Sequence, residues 1–328
     1  MAETFKWGIL GPGNIAKKFA QGVAFVPDAE VVAAASRSED RAKAFCSEFK
    51  VPKAYGGYQA LVEDPEIDAI YIATPHTSHA EHSKLCLQAG KPVLCEKPMT
   101  VNLQEAESVI AAARETSTFY MEAMWSRFLP YFAKIRQWLD NGAIGDIRMV
   151  QADFAFRCGW NPKSRLLDPN LAGGGLLDVG VYAISFASWV LGKDPVEVKA
   201  SGHLGETGVD EQSAVILRFD QGELALLASG VRTSTKHTAV IYGTDGRIEL
   251  DPPFWRGETA RLYAGRNQES VTCQHIGNGY EYEAMAVADA VRAGKLEHPE
   301  MTWAESLRIM SIMDQARAEM GLSYPFES

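Results

Sequence analysis

Short apolar segments alternate with amphipathic segments along the first 120 residues of the chain. The apolar segments have the length of buried strands, and they occupy residues 6–10, 29–36, 68–75, 92–96 and 119–124. The amphipathic segments have helical spacing, and they occupy residues 15–25, 39–49, 79–90 and 103–116. Strands that alternate with helices in this way are typical of a parallel sheet with helices on both faces.

The pattern changes after about residue 145, where extended segments follow one another with short turns between them. The segment at 146–157 is long, and the later ones are VEVKASGHL, EQSAVILRF, GELALLASGV, HTAVIYG, GRIELD and ARLYAG. Consecutive strands joined by short turns predict an antiparallel sheet. A strongly apolar helix is predicted at 174–192, and two further helices are predicted at 281–294 and 303–321.

Composition narrows the class of protein. The 328 residues are 46% apolar and 23% charged, which is ordinary for a soluble globular chain of two domains. A net charge of −10 without a basic stretch argues against nucleic-acid binding, and no run of 18 apolar residues is present to span a membrane. The first residues lack a secretory signal pattern, and five widely spaced cysteines without a CxxC motif favour the reducing cytoplasm.

A glycine-rich motif, GILGPGNIA, joins the first predicted strand to the first predicted helix. Its Gly11, Gly13 and Ala16 have the spacing GxGxxA. In dinucleotide-binding folds the first glycine makes a tight turn, the second lets the pyrophosphate approach the backbone, and the small third residue lets the helix pack on the strand. The helix N-terminus attracts the phosphates through free N–H groups and the helix dipole. We therefore expect a dinucleotide to contact Gly11, Pro12, Gly13, Asn14 and Ile15.

The end of the second predicted strand favours NADP over NAD. NAD-binding folds place an acidic residue there to bond the ribose 2′-OH, whereas this chain has Ser36 and Arg37, with Arg41 one helical turn further on. An arginine pairs with a 2′-phosphate that a carboxylate would repel. We expect Ser36, Arg37 and Arg41 to contact NADP(H). The alternative is that both arginines are solvated surface charges and Asp40 bonds the ribose.

The stretch VLCEKPMT, residues 93–100, places two charged residues at the end of a buried strand. Ligands of a doubly wound sheet bind beyond the carboxyl ends of its strands, so Glu96 and Lys97 are expected to face the cofactor. Desolvation and the positive nicotinamide ring would lower the pKa of Lys97, which could then exchange a proton or hold the substrate hydroxyl. Pro98 would fix the turn that aims the lysine. The residues after the third predicted strand are expected at the same level against the cofactor: Thr74, Pro75, His76 and His79.

A metal site is not expected. His79, His82 and Cys86 have the spacing i, i+3, i+7, which resembles one face of a metal-binding helix. No carboxylate accompanies them at a matching spacing. We expect His79 to cap the helix beside the cofactor, and His82 and Cys86 to pack in the core.

Several motifs together resemble the glucose-fructose oxidoreductase/inositol dehydrogenase/MocA family over essentially the whole chain. They are the GxGxxA turn, CEKP at 95–98, MEAMWSRFLP at 121–130, AGGGLLDVGVY at 172–182, and the segments 281–297 and 306–314. The resemblance is nearest to the dimeric dihydrodiol dehydrogenase and NADP-dependent xylose dehydrogenase branches. It implies that Lys97 is catalytic and that the Lys97–Pro98 bond is cis, a form that proline permits.

Asp178 and Tyr182 lie four residues apart on the predicted helix 174–192 and share one face. A buried carboxylate needs a partner, and many members of the resembled family carry histidine in place of Tyr182. A tyrosine is a poor acid near neutral pH unless a cation lowers its pKa. Given the glycine-rich approach at 173–175 and the Glu-Lys-Pro turn, we interpret Tyr182 as the proton carrier and Lys97 as its electrostatic partner. Asp178 would orient the substrate or the lysine. Two alternatives stay open. Lys97 could carry the proton while Tyr182 orients the substrate, or Asp178 and Tyr182 could form a hydrogen bond in the core that has no role in catalysis.

Two further side chains are candidates. Trp125 follows the last strand of the first half, where it would line the nicotinamide or stack on a substrate ring. A core tryptophan is the alternative. Arg165 is expected to reach the cofactor, and a solvated surface charge is its alternative.

These expectations define a fold and a function. Residues 1–122 are predicted to form an NADP-binding Rossmann domain, and residues 123–328 a substrate-binding and dimerisation α+β domain with a large, mostly antiparallel open sheet. One face of the open sheet would be exposed to solvent in a monomer. We therefore expect a homodimer in which the sheets of the two subunits pack against each other.

The predicted reaction is hydride transfer between NADP(H) and a CH–OH carbon of a sugar, such as xylose or glucose, or of a cyclic trans-diol. The alternatives are an anhydro-sugar carbonyl reductase, an inositol-type dehydrogenase, and a non-catalytic dinucleotide sensor that binds a protein partner.

Overall fold

The computed structural model describes residues 3–327, which form two compact units. The first unit runs to Thr100 and also contains Gln104–Phe128 and His275–Ser306. The second contains Val101–Leu103, Leu129–Gln274 and the chain from Leu307 onward. The units are therefore interleaved along the sequence, and the division into folding domains at residue 122 stays a prediction.

The first unit is built on a six-stranded parallel sheet. Its strands are β1 (Phe5–Leu10), β2 (Ala29–Ser36), β3 (Lys53–Gly56), β4 (Ala69–Ile72), β5 (Val93–Glu96) and β6 (Tyr120–Ala123). They lie in the order β3-β2-β1-β4-β5-β6, which is the doubly wound order of dinucleotide-binding folds. All residues of β4, β5 and β6 are buried, as expected for strands covered on both faces. The predicted parallel sheet is confirmed.

The helices of the first half follow the predicted positions closely. They are α1 (Asn14–Val23), α2 (Glu39–Phe49), α4 (His79–Gln88) and α5 (Leu103–Thr116). A short additional helix, α3 (Gln59–Val62), was not predicted. The pattern did not reveal β3, because this edge strand is half-exposed and its sequence KAYG has no apolar run.

The second unit is built on an eight-stranded sheet. Its strands are β7 (Ile147–Ala155), β8 (Glu197–Leu204), β9 (Asp210–Arg218), β10 (Leu224–Gly230), β11 (Ala239–Gly243), β12 (Gly246–Leu250), β13 (Thr259–Ala264) and β14 (Asn267–Thr272). They lie in the order β14-β13-β12-β11-β7-β10-β9-β8. The β7–β10 pair is parallel, and the other pairs are antiparallel. The predicted, mostly antiparallel sheet is confirmed.

One helix of the second unit differs from its prediction. The sequence predicts a continuous helix at 174–192, but the structure has a π-helical turn at Leu176–Gly180 that leads into α7 (Val181–Leu191). The stretch Pro169–Leu191 is long and apolar enough to cross a membrane, yet 94% of its most apolar window is buried inside the protein. It packs on β7 and β10, as a core helix does.

Three more helices complete the fold. Helix α6 (Pro130–Asp140), which the sequence pattern did not reveal, lies in the second unit. Helix α8 (Tyr280–Arg292) packs on α1 in the first unit. Helix α9 (Trp303–Met320) begins in the first unit and continues in the second. The predicted terminal helices are thus confirmed.

Candidate active site

The glycine-rich turn lies between the ends of β1 and β4, at the point where the strand order reverses. Gly11 has φ +90°, and a Cβ at this position would lie 2.6 Å from the Thr74 side chain, so only glycine fits. At Gly13 a Cβ would meet nothing nearer than the Gly11 oxygen at 4.0 Å, which leaves space beside the backbone. No side chain caps the N-terminus of α1, and Ala16 is fully buried beneath it. This geometry suits a bound pyrophosphate.

Two arginines lie at the carboxyl end of β2. Ser36 is buried, while Arg37 and Arg41 are exposed. Within residues 3–327 neither guanidinium makes a hydrogen bond or an ion pair, whereas Lys43, on the same helix as Arg41, is paired with Glu39 at 2.8 Å. Both guanidinium groups are therefore available to an anion.

Lys97 is half-buried and follows β5 directly. The Lys97–Pro98 peptide bond is cis, as the family resemblance implies. A buried carboxylate holds the backbone just beyond the proline, because Glu122 Oε1 accepts a hydrogen bond of 2.9 Å from Met99 N. Glu96 is also buried, and its carboxylate accepts a hydrogen bond from the Tyr71 hydroxyl. The turn that carries Lys97 is thus fixed by polar contacts in a dry environment.

Glu96, Glu122 and Glu283 are buried in the first unit. Burial raises the pKa of Glu96 and of Glu122. The pKa of Glu283 is raised well above its usual range by burial and by the nearby charge of Glu96. In the part of the chain that the structure describes, neither oxygen of Glu283 has a hydrogen-bond partner. The sequence reasoning missed Glu122 and Glu283, because nothing local distinguishes them from surface glutamates on a helix or strand.

His79 is the first residue of α4 and is fully buried. The expectation that it caps this helix is wrong: the N-cap residue is Ser78, without a side-chain cap, because both ring nitrogens of His79 face carbonyl oxygens outside the helix. Its Nδ1 lies 2.8 Å from the Pro98 carbonyl oxygen, and its Nε2 lies 2.8 Å from the Thr74 carbonyl oxygen. A hydrogen bond from this ring to a cofactor would require one of these contacts to break. The imidazole therefore links the loop after β4 to the turn after β5. Among residues 3–327, no group of three His, Cys, Asp or Glu side chains could hold a metal ion.

Trp125 lies in a short 3₁₀ turn after β6 and is 4% exposed. Its ring stacks on Tyr280, with centroids 4.6 Å apart and an angle of 17° between the planes. A contact between Trp125 and a ligand stays a prediction.

In the second unit, Asp178 lies on the π-helical turn and Tyr182 lies on the first turn of α7, and both are buried. Arg165 Nη1 donates a hydrogen bond of 2.8 Å to Asp178 Oδ1. Arg165 is therefore the partner that the buried Asp178 carboxylate requires. The sequence analysis expected this arginine to contact the cofactor.

Aromatic rings surround the Tyr182 side chain. Phe154 stacks on Trp255 with an angle of 7° between the planes, and the Tyr182 ring centroid lies 5.5 Å from Phe154 and 6.2 Å from Trp255. His237 contacts both Phe154 and Trp255 edgewise or tilted. We call Phe154, Tyr182, His237 and Trp255 the aromatic group. Sequence reasoning missed three of its members, because β7 and two distant loops contribute them.

Comparison with known proteins identifies both halves of the chain. Residues 5–124 match the family described as "Oxidoreductase family, NAD-binding Rossmann fold". Residues 132–249 match the "GFO/IDH/MocA C-terminal domain". Among curated proteins, the trans-1,2-dihydrobenzene-1,2-diol dehydrogenase of Xenopus tropicalis is 38% identical over 331 residues, which cover 98% of this chain and 99% of the relative. The enzyme of the same name from Homo sapiens is 36% identical, with 98% of each chain covered.

Solved structures share the fold. A 3-ketoreductase from Actinomadura kijaniata, solved with NADP and TDP-benzene, is 31% identical with a TM-score of 0.87, and the match covers 97% of this chain and 98% of that one. A levoglucosan dehydrogenase in complex with NADH and levoglucosan has a TM-score of 0.88 over 97% of this chain and 98% of that one. Its 20% identity supports the fold alone.

Proposed function

This chain belongs to the GFO/IDH/MocA oxidoreductase family. From that premise we propose that it is an NADP(H)-dependent dehydrogenase and that its preferred substrates are cyclic trans-diols. A hydride leaves the carbinol carbon, a proton leaves its hydroxyl, and a ketone forms. The observation that carries the choice of substrate is the aromatic group around Tyr182.

The cofactor is held by backbone and arginine contacts. The turn from Gly11 to Ile15 holds the pyrophosphate, and Arg37 with Arg41 pairs with the 2′-phosphate beside Ser36. When bound, the nicotinamide accepts or returns the hydride. The loop after β4 and the turn with Glu96 and Lys97 position the ring, while His79 holds these two loops together from below.

Two side chains are candidates for the proton of the substrate hydroxyl. Tyr182 accepts it through the phenolate oxygen and returns it in the reverse direction, while Lys97 stabilises the developing charge. The opposite division of labour, with Lys97 as the proton carrier, predicts a different pH profile. Asp178 orients the site through its ion pair with Arg165.

The aromatic group favours a flat, unsaturated ring over a sugar. The stacked Phe154 and Trp255 present ring faces and edges, which contact another ring with a gain of about 0.5–1.5 kcal/mol beyond area burial. A sugar would need several hydrogen-bonding partners for its hydroxyls. Aldoses remain the second candidate substrates, because the sequence also resembles the NADP-dependent xylose dehydrogenase branch of the family.

The test is a substrate screen with purified protein. We would offer trans-1,2-dihydrobenzene-1,2-diol, D-xylose, D-glucose, levoglucosan and myo-inositol with NADP+ and with NAD+, and follow the absorbance of the reduced nicotinamide. We expect the largest kcat/KM for the diol with NADP+. In the Trp255→Leu variant the KM for the diol should rise about five- to tenfold, with the Kd for NADP unchanged. A larger kcat/KM for any sugar would contradict the choice of substrate.

Assembly and location complete the proposal. We propose a homodimer in which the second sheet packs on its copy, because Ile216 on β9 is 46% exposed and Val196 beside β8 is 54% exposed. A cytoplasmic location is supported by the five cysteines, which are free thiols.

A further inference from the structure

The glycine-rich turn Gly173–Gly175 begins the segment that carries Asp178 and Tyr182. Gly174 has φ +123°, and a Cβ there would lie 2.1 Å from Oδ1 of Asp210. At Gly175 a Cβ would lie 2.9 Å from the Gly230 backbone on β10. The chain therefore passes so close to the ends of two strands that no side chain fits.

Asp210 is the first residue of β9 and is fully buried. Its Oδ2 accepts a hydrogen bond of 2.7 Å from Leu176 N, the first amide of the π-helical turn. Amides at the start of a helix have no partner within the helix, so a carboxylate from another element is an effective cap. Asp178 follows Leu176 by two residues, and its backbone position depends on this contact.

The same turn also fixes the partner of Asp178. Gly174 N donates a hydrogen bond of 2.9 Å to the Leu166 carbonyl oxygen, and Leu166 is the neighbour of Arg165. The Arg165 guanidinium in turn binds Asp178. One glycine-rich turn thus sets the positions of both members of the ion pair, and Asp210 anchors the turn.

We propose that Asp210 is a positioning residue for Asp178 and Tyr182: its carboxylate holds the glycine-rich turn in the geometry that the reaction needs. This inference rests on the proposed roles of Asp178 and Tyr182. Asp210 itself neither contacts the substrate nor carries a proton of the reaction.

Asp210 also titrates near neutrality. Burial raises its pKa to about 7, against the N–H groups of Leu176, Asp210 itself and Gly175 and the charge of Arg317 on α9, which lower it. Tyr324 is a further titratable group that interacts with this carboxyl, and its hydroxyl donates a hydrogen bond of 2.9 Å to the Gly173 oxygen. An ionised carboxylate is a stronger acceptor than a protonated one. Protonation of Asp210 therefore loosens the turn, and kcat falls as the pH drops through about 7.

Two variants test the proposal. Asp210→Asn keeps an acceptor oxygen for Leu176 N but does not titrate, so its kcat–pH profile should lack the inflection near 7 that the parent shows. Asp210→Ala removes the acceptor and should lower kcat about ten- to hundredfold. In both variants the Kd for NADP should stay unchanged. The matched control is Ser213→Ala on the same strand, which removes the buried Ser213–Ser229 hydrogen bond of 2.8 Å and should behave like the parent.

An unchanged inflection in the Asp210→Asn variant would overturn the proposal, as would an unchanged kcat in Asp210→Ala. If the alanine variant does not fold, the asparagine variant decides. Amide hydrogen exchange at Leu176, measured without substrate, gives an independent result. Relative to the intrinsic chemical rate at each pH, exchange should be faster in the parent at pH 6 than at pH 8, and it should not change with pH in the asparagine variant (both pH values lie about one unit from the pKa of Asp210). Protection that is equal at both pH values in the parent contradicts the proposal. These outcomes can be distinguished from a failure of the proposed function, because in that case the parent protein would turn over no diol or sugar.

Discussion

Replacement of Arg37 by alanine should change the cofactor preference of the enzyme. The guanidinium is exposed at the end of β2 and has no hydrogen bond or ion pair within residues 3–327, so its loss should hardly affect folding. A hydrogen bond between charged groups contributes about 1.5–3 kcal/mol. Since 1.4 kcal/mol corresponds to a factor of ten, the Kd for NADP should rise roughly 10- to 100-fold.

The assay is a titration of NADPH and of NADH, followed by nicotinamide fluorescence. The Kd for NADH should change less than twofold, because NADH has no 2′-phosphate. The loss should be smaller at high salt, since the Debye length is about 8 Å at physiological ionic strength and falls to about 3 Å at 1 M. Arg41→Ala should act in the same direction.

Lys43→Ala is the matched control for this experiment. It removes a positive charge from α2, the helix that follows Arg37, but this charge is paired with Glu39 at 2.8 Å. We expect a Kd for NADPH close to that of the parent. The reasoning is refuted if the parent binds NADPH and NADH equally, or if Arg37→Ala weakens both cofactors by the same factor. Equal binding of the two cofactors by the parent would favour the alternative in which Asp40 bonds the ribose.

Three further predictions follow from the same structure. Lys97→Met and Tyr182→Phe should each lower kcat about a hundred- to ten-thousandfold with the Kd for NADP nearly unchanged, and the double variant should be little worse than the worse single one. If Tyr182 carries the proton, the basic limb of the pH–rate profile should move upward in Lys97→Met; if both single variants turn over like the parent, the site is misplaced. Light scattering at micromolar concentration should give twice the mass of one chain, and the mass of a single chain would contradict the dimer. Asp210 has a folded-state pKa of about 7 against an ordinary value of 3.8, so the native state binds the additional proton between these values and the free energy of unfolding should decrease by up to about 4 kcal/mol as the pH rises through this window. Urea unfolding at several pH values should show this contribution in the parent and not in Asp210→Asn; a difference between the two proteins that is independent of pH would contradict the assignment.

The sequence pattern predicted the helices and strands whose apolar residues recur with a regular period. Strand β2 and helices α2 and α5 lie at the predicted residues, because an apolar run or a helical stripe is a local property that packing then uses. Helices α3 and α6 and the edge strands β3 and β14 were not predicted. The sequence NQESVT of β14 is polar and mostly exposed, and it forms a strand through hydrogen bonds to β13.

The candidate residues of the site could also be predicted from the sequence. The side chains that surround them in the folded protein could not. The GxGxxA turn, the Glu-Lys-Pro turn and the Asp178–Tyr182 pair are short motifs whose chemistry depends on neighbours in the chain. Their assignment to a catalytic role stays a prediction that the variants above test. The π-helical start of the Tyr182 helix was not predicted, because it depends on the anchoring of the glycine-rich turn by a distant strand.

The sequence by itself therefore determined the fold class, the family and the position of the glycine-rich turn between β1 and α1. Only the tertiary structure decided that Arg165 pairs with Asp178, that His79 links two loops, and that Trp255 stacks on Phe154. Stacking of Trp255 on Phe154 joins a loop to a strand that lies far away in the chain. Local spacing sets which face of an element is apolar, whereas the partner of a buried charge or ring depends on which segments the folded chain brings within a few ångströms.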